Sequence, residues 1–240
     1  MQDSPQHLRK LLSFFFQAHP WHGISAETPG KPGLFHVYVE LTPFDGVKYE
    51  VDKKTGHIKC DRPQKYSNLC PTIYGFIPRT YCGDSVGEFC SQQTGIEGIQ
   101  GDGDPIDICV LTEKPINHVG ILLNARPIGG LRMIDDHSAD DKIIAVLEQD
   151  ITFGHIQDVE QLPPGTVDRL RQYFLTYKLS PDEAHPPVSI PHVYGASEAL
   201  QVIERSQRDY HDEFHSVQDD AVRFLQHLSQ TVQQVAPIKG

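Results

Sequence analysis

The amino-acid sequence predicts one α+β domain whose core is mainly β-sheet. Residues 35–41 and 47–52 alternate between apolar and polar side chains and are rich in β-branched and aromatic residues, which is typical of strands. A turn at residues 54–57 leads into residues 58–62, so the second strand and this segment are expected to form a hairpin. Apolar residues recur at helical spacing over residues 167–177, which predicts a helix. A chain of 240 residues is long enough for one domain with a full core and short extensions.

The composition limits the partners and the compartment of the protein. A net charge of −11 argues against nucleic acid as a partner, because phosphate backbones require a basic face. The apolar run at residues 11–16 is too short to span a membrane, so we expect a short amphipathic helix there and no membrane partner. The five cysteines are odd in number and form no Cys-x-x-Cys pair, which favours a reducing cytoplasm over disulfides or structural zinc.

The most informative segment is Gly-Asp-Gly-Asp-Pro-Ile-Asp at residues 101–107. It brings together the carboxylates of Asp102, Asp104 and Asp107, whose repulsion would cost folding free energy unless a cation is bound. Oxygen donors without His or Cys favour a hard cation, Mg²⁺ or Mn²⁺. A solvent-facing acidic turn is the plain alternative. An EF-hand loop does not fit, because the third carboxylate falls at the wrong step and an apolar strand follows.

The same run, continued by Ile-Cys-Val, resembles the signature of family I soluble inorganic pyrophosphatases, and the likeness extends in the family's order over residues 35–215. The resemblance implies a small closed antiparallel five-stranded barrel, similar to an OB fold, with helices packed outside. Residues 1–34 are then an N-terminal extension with a short helix, and residues 216–240 are a C-terminal helical extension. Residues 81–100 are polar and glycine-rich, and we expect a loop inserted near the site mouth or at an oligomer contact.

The resemblance also implies a set of metal ligands. Asp102, Asp107 and Asp140 would hold a first ion, and Asp107 would bridge to a second. A substrate-borne ion would be held by Asp135 and Asp140, which precede Lys142 at the family's spacing. The family likeness places two further carboxylates in the metal and water shell, Glu40 and Glu50. The expected cofactor is Mg²⁺, with Mn²⁺ as a possible substitute.

The remaining roles concern the water and the substrate. By resemblance, Asp104 would accept a proton from the nucleophilic water. The cations and tyrosines that would contact phosphate oxygens are Lys48, Arg62, Tyr74, Lys142, Tyr177 and Lys178. Cys70 departs from the family, because it stands where many relatives carry a second tyrosine. Asp136 and Asp141 match no family role, and we expect both to face solvent.

These observations predict a cytoplasmic enzyme that hydrolyses inorganic pyrophosphate to two orthophosphates. The alternatives are a non-catalytic barrel that binds a divalent metal or a nucleotide, and a hydrolase of another phosphoanhydride. The sequence contains no Gly-x-x-x-x-Gly-Lys-Ser/Thr loop, which weakens the case for a nucleoside triphosphate. An apolar seam that runs from Val217 to Val235 needs cover from the body or from another subunit, and we expect a homo-oligomer.

Overall fold

The structure is a computed structural model that describes residues 17–179 and 188–235. The short helix predicted in the N-terminal extension falls within residues 1–16 and lies outside the described residues. The strands are β1 (Phe35–Leu41), β2 (Val47–Val51), β3 (Ile58–Pro63), β4 (Ile73–Phe76), β5 (Gln100–Gly101), β6 (Asp107–Leu111), β7 (Leu122–Asp135), β8 (Ser138–Ala139), β9 (Lys142–Leu147) and β10 (Val188–Gly195). The helices are α1 (Asp84–Thr94), α2 (Thr166–Thr176) and α3 (Ala196–Val235), with a 3₁₀ helix at Val159–Gln161.

Most of the strands belong to one sheet, in the order β1-β4-β6-β9-β7-β8-β5, and β10 pairs with the long strand β7. Strand β1 pairs with β7 as well as with β4. The mixed α+β class with a mainly β core is therefore confirmed. Antiparallel pairing, which the family resemblance implies, holds for most strand pairs, but β6 runs parallel to β9 and β5 runs parallel to β8. The predicted hairpin is confirmed, since β2 and β3 pair antiparallel with Lys48 opposite Arg62.

The two faces of the central strands explain their continuous apolar sequences. Ile108 and Val110 of β6 pack into one core cluster, whereas Cys109 and Leu111 pack into the other. Successive side chains of a strand point to opposite faces, so a strand that is covered on both faces is apolar at every position. The rigid, doubly buried β6 begins at Asp107 and therefore holds this carboxylate in a fixed place.

Residues 81–100 are not the loop that the sequence predicts, because they contain helix α1. Three apolar side chains, Val86, Phe89 and Cys90, are buried on one side of this helix. Its N-terminus is capped from α3, where the Asp209 carboxylate accepts hydrogen bonds from the backbone N–H groups of residues 83, 85 and 86 at 3.0, 3.1 and 3.0 Å. The cap lies more than a hundred residues away in the chain, and local sequence patterns do not reveal it.

Helix α3 continues without interruption across the predicted boundary at residue 216. Its first half packs on the body through Ala199, Val202 and Ile203, which are all buried. Further along, Val217 and Phe224 are more than half exposed. Within residues 17–179 and 188–235, no helix is both long enough and apolar enough to cross a membrane.

Candidate active site

A polar cavity of about 480 Å³ opens beside the start of β6 and β9. All thirteen residues that the sequence assigns to the site line it, although they come from segments as far apart as residues 40 and 178. They are Glu40, Lys48, Glu50, Arg62, Tyr74, Asp102, Asp104, Asp107, Asp135, Asp140, Lys142, Tyr177 and Lys178. Cys70 is buried in the core and does not line this cavity.

The first acidic segment is a tight turn between β5 and β6. Gly103 has a φ of +76°, which only glycine adopts without strain, and the Asp104 N–H donates to a carboxylate oxygen of Asp102 at 3.0 Å. The Cys82 N–H donates to the Asp104 carbonyl at 2.8 Å, and the Gly103 N–H donates to the Cys82 carbonyl at 3.0 Å. The segment before α1 therefore fixes the backbone that carries Asp102 and Asp104.

The second acidic segment joins the end of β7 to the start of β9. Asp135 ends β7, and Asp140 lies two residues before Lys142, where β9 begins. The parallel register of β6 and β9 sets Asp107 beside Lys142, whose ammonium group bonds to the carboxylates of Asp107 and Asp140. The two acidic segments thus meet around one buried lysine.

The carboxylates at this meeting point are hard to ionise together. Asp102 is exposed to the cavity, yet the surrounding protein removes much of its hydration and, together with the nearby Asp140 and Asp107, raises its pKa to about 8. Burial also raises the pKa of Asp140, although the Lys142 ammonium opposes this effect. Burial alone would lower the pKa of Lys142, but Asp107 and Asp140 outweigh it and hold this pKa well above its usual value.

Glu40 lies deeper on the same wall. Its carboxylate accepts a hydrogen bond from the Val51 N–H at 2.7 Å, which ties β1 to the hairpin. Burial, with a smaller contribution from the nearby Asp107, raises the pKa of Glu40 to about 8 against the effect of that hydrogen bond.

The donor set fits a hard divalent cation. Asp102, Asp107 and Asp140 offer only oxygen atoms, and the pKa of Asp102 is raised by burial and then by the two neighbouring carboxylates. Among the described residues, no group of three His, Cys, Asp or Glu side chains is already arranged around one point. The Lys142 ammonium stands between Asp107 and Asp140, so metal binding requires small side-chain adjustments at this lysine.

The cavity is also lined by cations from the β2–β3 hairpin and from the segment after α2. Lys48 pairs with Glu50 and lies 3.7 Å from Asp61, and Arg62 pairs with the same Asp61. After α2, Lys178 pairs with Asp135 across the cavity. These exposed or half-buried pairs leave cationic groups close to the acidic floor, where an anionic substrate could exchange with their carboxylate partners.

Two tyrosines complete the lining. The Tyr74 hydroxyl hydrogen-bonds to Asp107, and burial raises the pKa of Tyr74 well above its usual value, so the hydroxyl keeps its proton. The Lys142 ammonium lies 6.0 Å from the centre of the Tyr74 ring. Tyr177 packs on Tyr173 with ring centres 5.3 Å apart, and Lys178 lies 5.4 Å from the Tyr177 ring.

Two of the cavity residues that the sequence did not indicate are Lys53 and Trp21. Lys53 follows the alternating strand β2 at the hairpin tip, and its ammonium pairs with Asp104. Alternation points only to Lys48, Glu50 and Asp52 as one face, so nothing in the pattern indicated Lys53. Trp21 packs against the rings of His22 and Phe214, and its indole N–H donates to the Thr80 carbonyl at 2.8 Å.

The expectation that Asp141 faces solvent is wrong. This carboxylate is fully buried and accepts a hydrogen bond from the Arg132 guanidinium at 2.6 Å. Burial raises the pKa of Asp141 to about 6 against the effect of Arg132. Asp136, in contrast, is exposed at the rim of the cavity as expected. A run of four carboxylates and a lysine contains no local signal that one of them finds a buried arginine.

Clustered carboxylates in a cavity that also carries lysines, an arginine and tyrosines are typical of enzymes that transfer phosphoryl groups with the help of a metal. Comparisons with known proteins narrow this class. Residues 37–211 match the family model for inorganic pyrophosphatase. The chain therefore belongs to the inorganic pyrophosphatase family.

Individual relatives agree with this assignment. The inorganic pyrophosphatase of Chlamydia trachomatis serovar L2 is 52% identical over 197 residues, which cover 80% of this chain and 94% of the relative. Soluble inorganic pyrophosphatase 1 of Arabidopsis thaliana is 38% identical over 193 residues, with 80% of each chain covered. The crystal structure of the inorganic pyrophosphatase from Thermus thermophilus superposes with a TM-score of 0.66 at 28% identity, over 80% of this chain and 99% of that one.

Proposed function

We propose that the protein hydrolyses inorganic pyrophosphate to two orthophosphates. The observation that carries the proposal is the convergence of all thirteen expected site residues on one cavity, in a chain that belongs to the inorganic pyrophosphatase family. A highly charged diphosphate needs neutralisation, orientation and an in-line water, and little covalent chemistry from the protein.

The basic side chains supply the binding and orientation. Lys48 and Arg62 face each other across β2 and β3, so they can hold oxygens of one phosphoryl group together, with Arg62 able to bind in a bidentate manner. Lys178, which follows α2 and pairs with Asp135, can contact the other phosphoryl group. The Tyr74 and Tyr177 hydroxyls donate hydrogen bonds that keep the substrate in register.

The carboxylates divide the remaining work. Asp102, Asp107 and Asp140 would hold a divalent ion, and Asp135 with Asp140 would hold one that arrives with the substrate. When bound, Mg²⁺ acts as a Lewis acid towards the phosphate oxygens and lowers the pKa of water. Glu40 and Glu50 would orient the surrounding water molecules.

Asp104 accepts the proton of the attacking water at a carboxylate oxygen. In the structure this carboxylate pairs with Lys53, an exposed group at the hairpin tip that can move away when substrate enters. We expect Asp104→Asn to retain Mg²⁺ binding and to lose turnover by about 10²- to 10⁴-fold, because an amide does not take the proton. A near-parent rate in this variant would remove Asp104 from the role of base.

The finer points of fold and assembly belong to the same proposal. The pairings β1–β4, β4–β6, β6–β9, β9–β7 and β7–β1 form a continuous ring, which supports the small closed five-stranded barrel. The barrel domain would span residues 35–215, with α1 as an insertion and extensions at both ends. The free cysteines support a cytoplasmic location, and the exposed apolar residues of α3 beyond residue 216 support a homo-oligomer.

Phosphate release from purified protein tests the substrate. Pyrophosphate and ATP are supplied in parallel, each with Mg²⁺ and with a chelator in its place. We expect Mg²⁺-dependent release from pyrophosphate at a rate far above that from ATP. Predominant turnover of ATP would overturn the substrate assignment, and the absence of turnover with either substrate would favour a non-catalytic binding protein.

A further inference from the structure

A buried arginine lies on the other side of the strands that carry the acidic segments. Arg132 of β7 has no exposed side-chain surface, and its guanidinium donates to Asp141 and to Glu198 of α3, both at 2.6 Å. The guanidinium lies between two aromatic rings, 5.0 Å from the centre of Phe89 in α1 and 4.9 Å from that of Tyr194 in β10. One side chain therefore connects two strands and two helices.

The arginine's partner Asp141 lies in the chain between two residues of the active-site cavity. Asp141 stands between Asp140 and Lys142, which both line the cavity, whereas Asp141 does not. Neighbouring side chains of an extended chain point to opposite sides, so anchoring Asp141 on the back fixes the direction of its two neighbours at the front. The Tyr194 hydroxyl adds a hydrogen bond to Asp141 at 3.0 Å, which leaves this carboxylate little freedom.

Stability alone does not account for such a cluster. Buried ion pairs lose so much hydration that apolar residues of similar size often stabilise a fold as well or better. A buried pair does, however, fix a single geometry, because each charged group must keep its partners. The position beside Asp140 and Lys142 is where such geometric control would matter for the chemistry.

We propose that Arg132 is a positioning residue, which acts through Asp141 to hold Asp140 and Lys142 in the geometry that metal binding and turnover require. The inference rests on the proposed function. It also gives helix α1 a role, because Phe89 packs on the Arg132 guanidinium. Loss of a supporting group of this kind typically lowers metal affinity or activity by about 10- to 100-fold.

The test uses the double variant Arg132→Met/Asp141→Asn in the full-length protein. This pair of changes removes both buried charges, leaves the net charge unchanged and keeps an oxygen acceptor for Tyr194. The Kd for Mg²⁺ is measured by calorimetric titration without substrate, and turnover of pyrophosphate is measured at saturating Mg²⁺. We expect a Kd about 10-fold or more above that of the parent and a lower kcat, in a protein whose circular dichroism remains that of the parent.

Two further variants test whether a changed Mg²⁺ affinity comes from misfolding or from the loss of any arginine on β7. Arg132→Lys keeps the charge but cannot reach both carboxylates with a planar fork, so we expect a smaller, few-fold loss of Mg²⁺ affinity. Arg126→Met is the matched control, because Arg126 lies on the same strand and donates to the carbonyls of Gly154 and Ile156, away from the cavity. We expect it to leave the Kd unchanged.

The outcomes separate this inference from the proposed function. A parent protein without turnover of pyrophosphate would refute the proposed function itself. An active parent whose double variant folds and binds Mg²⁺ with the parent Kd would refute only the positioning role of Arg132. If the double variant does not fold, an unchanged Kd in Arg132→Lys would refute it as well.

Discussion

Removal of the carboxylate that caps helix α1 is expected to destabilise the fold measurably. In Asp209→Ala, the N–H groups of residues 83, 85 and 86 lose the only acceptor that the structure gives them among the described residues. Each bond contributes about 1 kcal/mol, which would give about 3 kcal/mol in all. Burial raises the pKa of Asp209, so dehydration of the carboxylate offsets part of this gain, and we expect a net loss of about 2 kcal/mol.

Urea unfolding followed by circular dichroism measures this loss. With a slope of about 2 kcal/mol/M, the midpoint should fall by about 1 M. Asp212→Ala is the matched control, since Asp212 is exposed on the same helix, and its free energy of unfolding should change by less than about 0.5 kcal/mol. Equal midpoints for the two variants would refute the reasoning that α3 caps α1.

Two pH effects follow from the shifted pKa values. The pKa of Asp102 is raised to about 8, so below this pH Mg²⁺ must displace a proton from the carboxyl group. The affinity of the protein for Mg²⁺ should therefore fall by up to about tenfold per pH unit below 8. Calorimetry in buffers of different ionisation enthalpy measures the released proton. An affinity for Mg²⁺ that does not change with pH would contradict the displacement of a proton from Asp102. The pKa of His22 is lowered to about 4, first by burial, so the folded state keeps a neutral ring while the unfolded state takes up a proton below about 6.5. The free energy of unfolding should therefore hold its full value above pH 6.5 and decrease as the pH falls towards 4. In His22→Phe this decrease should be smaller. A decrease as steep as in the parent would show that other groups cause it.

The predictable parts of the fold have local causes. The alternation at 47–52 and the turn after it lead directly to the β2–β3 hairpin, because a strand with one covered face must alternate. Charge repulsion in the acidic motif of residues 101–107 favours a metal site there, and that site stays a prediction. The other site residues depended on the family resemblance, since nothing in their local spacing says that residues 40 and 178 meet in one cavity.

The errors involve contacts between distant segments. Helix α1 has few apolar residues and is completed by Asp209 from α3, so its own sequence resembles a loop. Asp141 matches no family role and was expected in solvent, and its partner Arg132 on β7 is not visible from the local sequence. The parallel pairing of β6 and β9 was also not predictable from local sequence, since the relative direction of two strands depends on the path of the chain between them.

Carboxylates from separate segments converge on the cavity, where we expect them to hold a hard cation. Crystals grown with Mn²⁺ test it directly, because anomalous scattering locates the ion independently of the protein model. We expect a peak within about 2.0–2.6 Å of carboxylate oxygens from Asp102, Asp107 and Asp140, with the Lys142 ammonium moved from between them. A fully occupied Mn²⁺ site elsewhere, with these three carboxylates still paired to Lys142 or to solvent, would contradict the account.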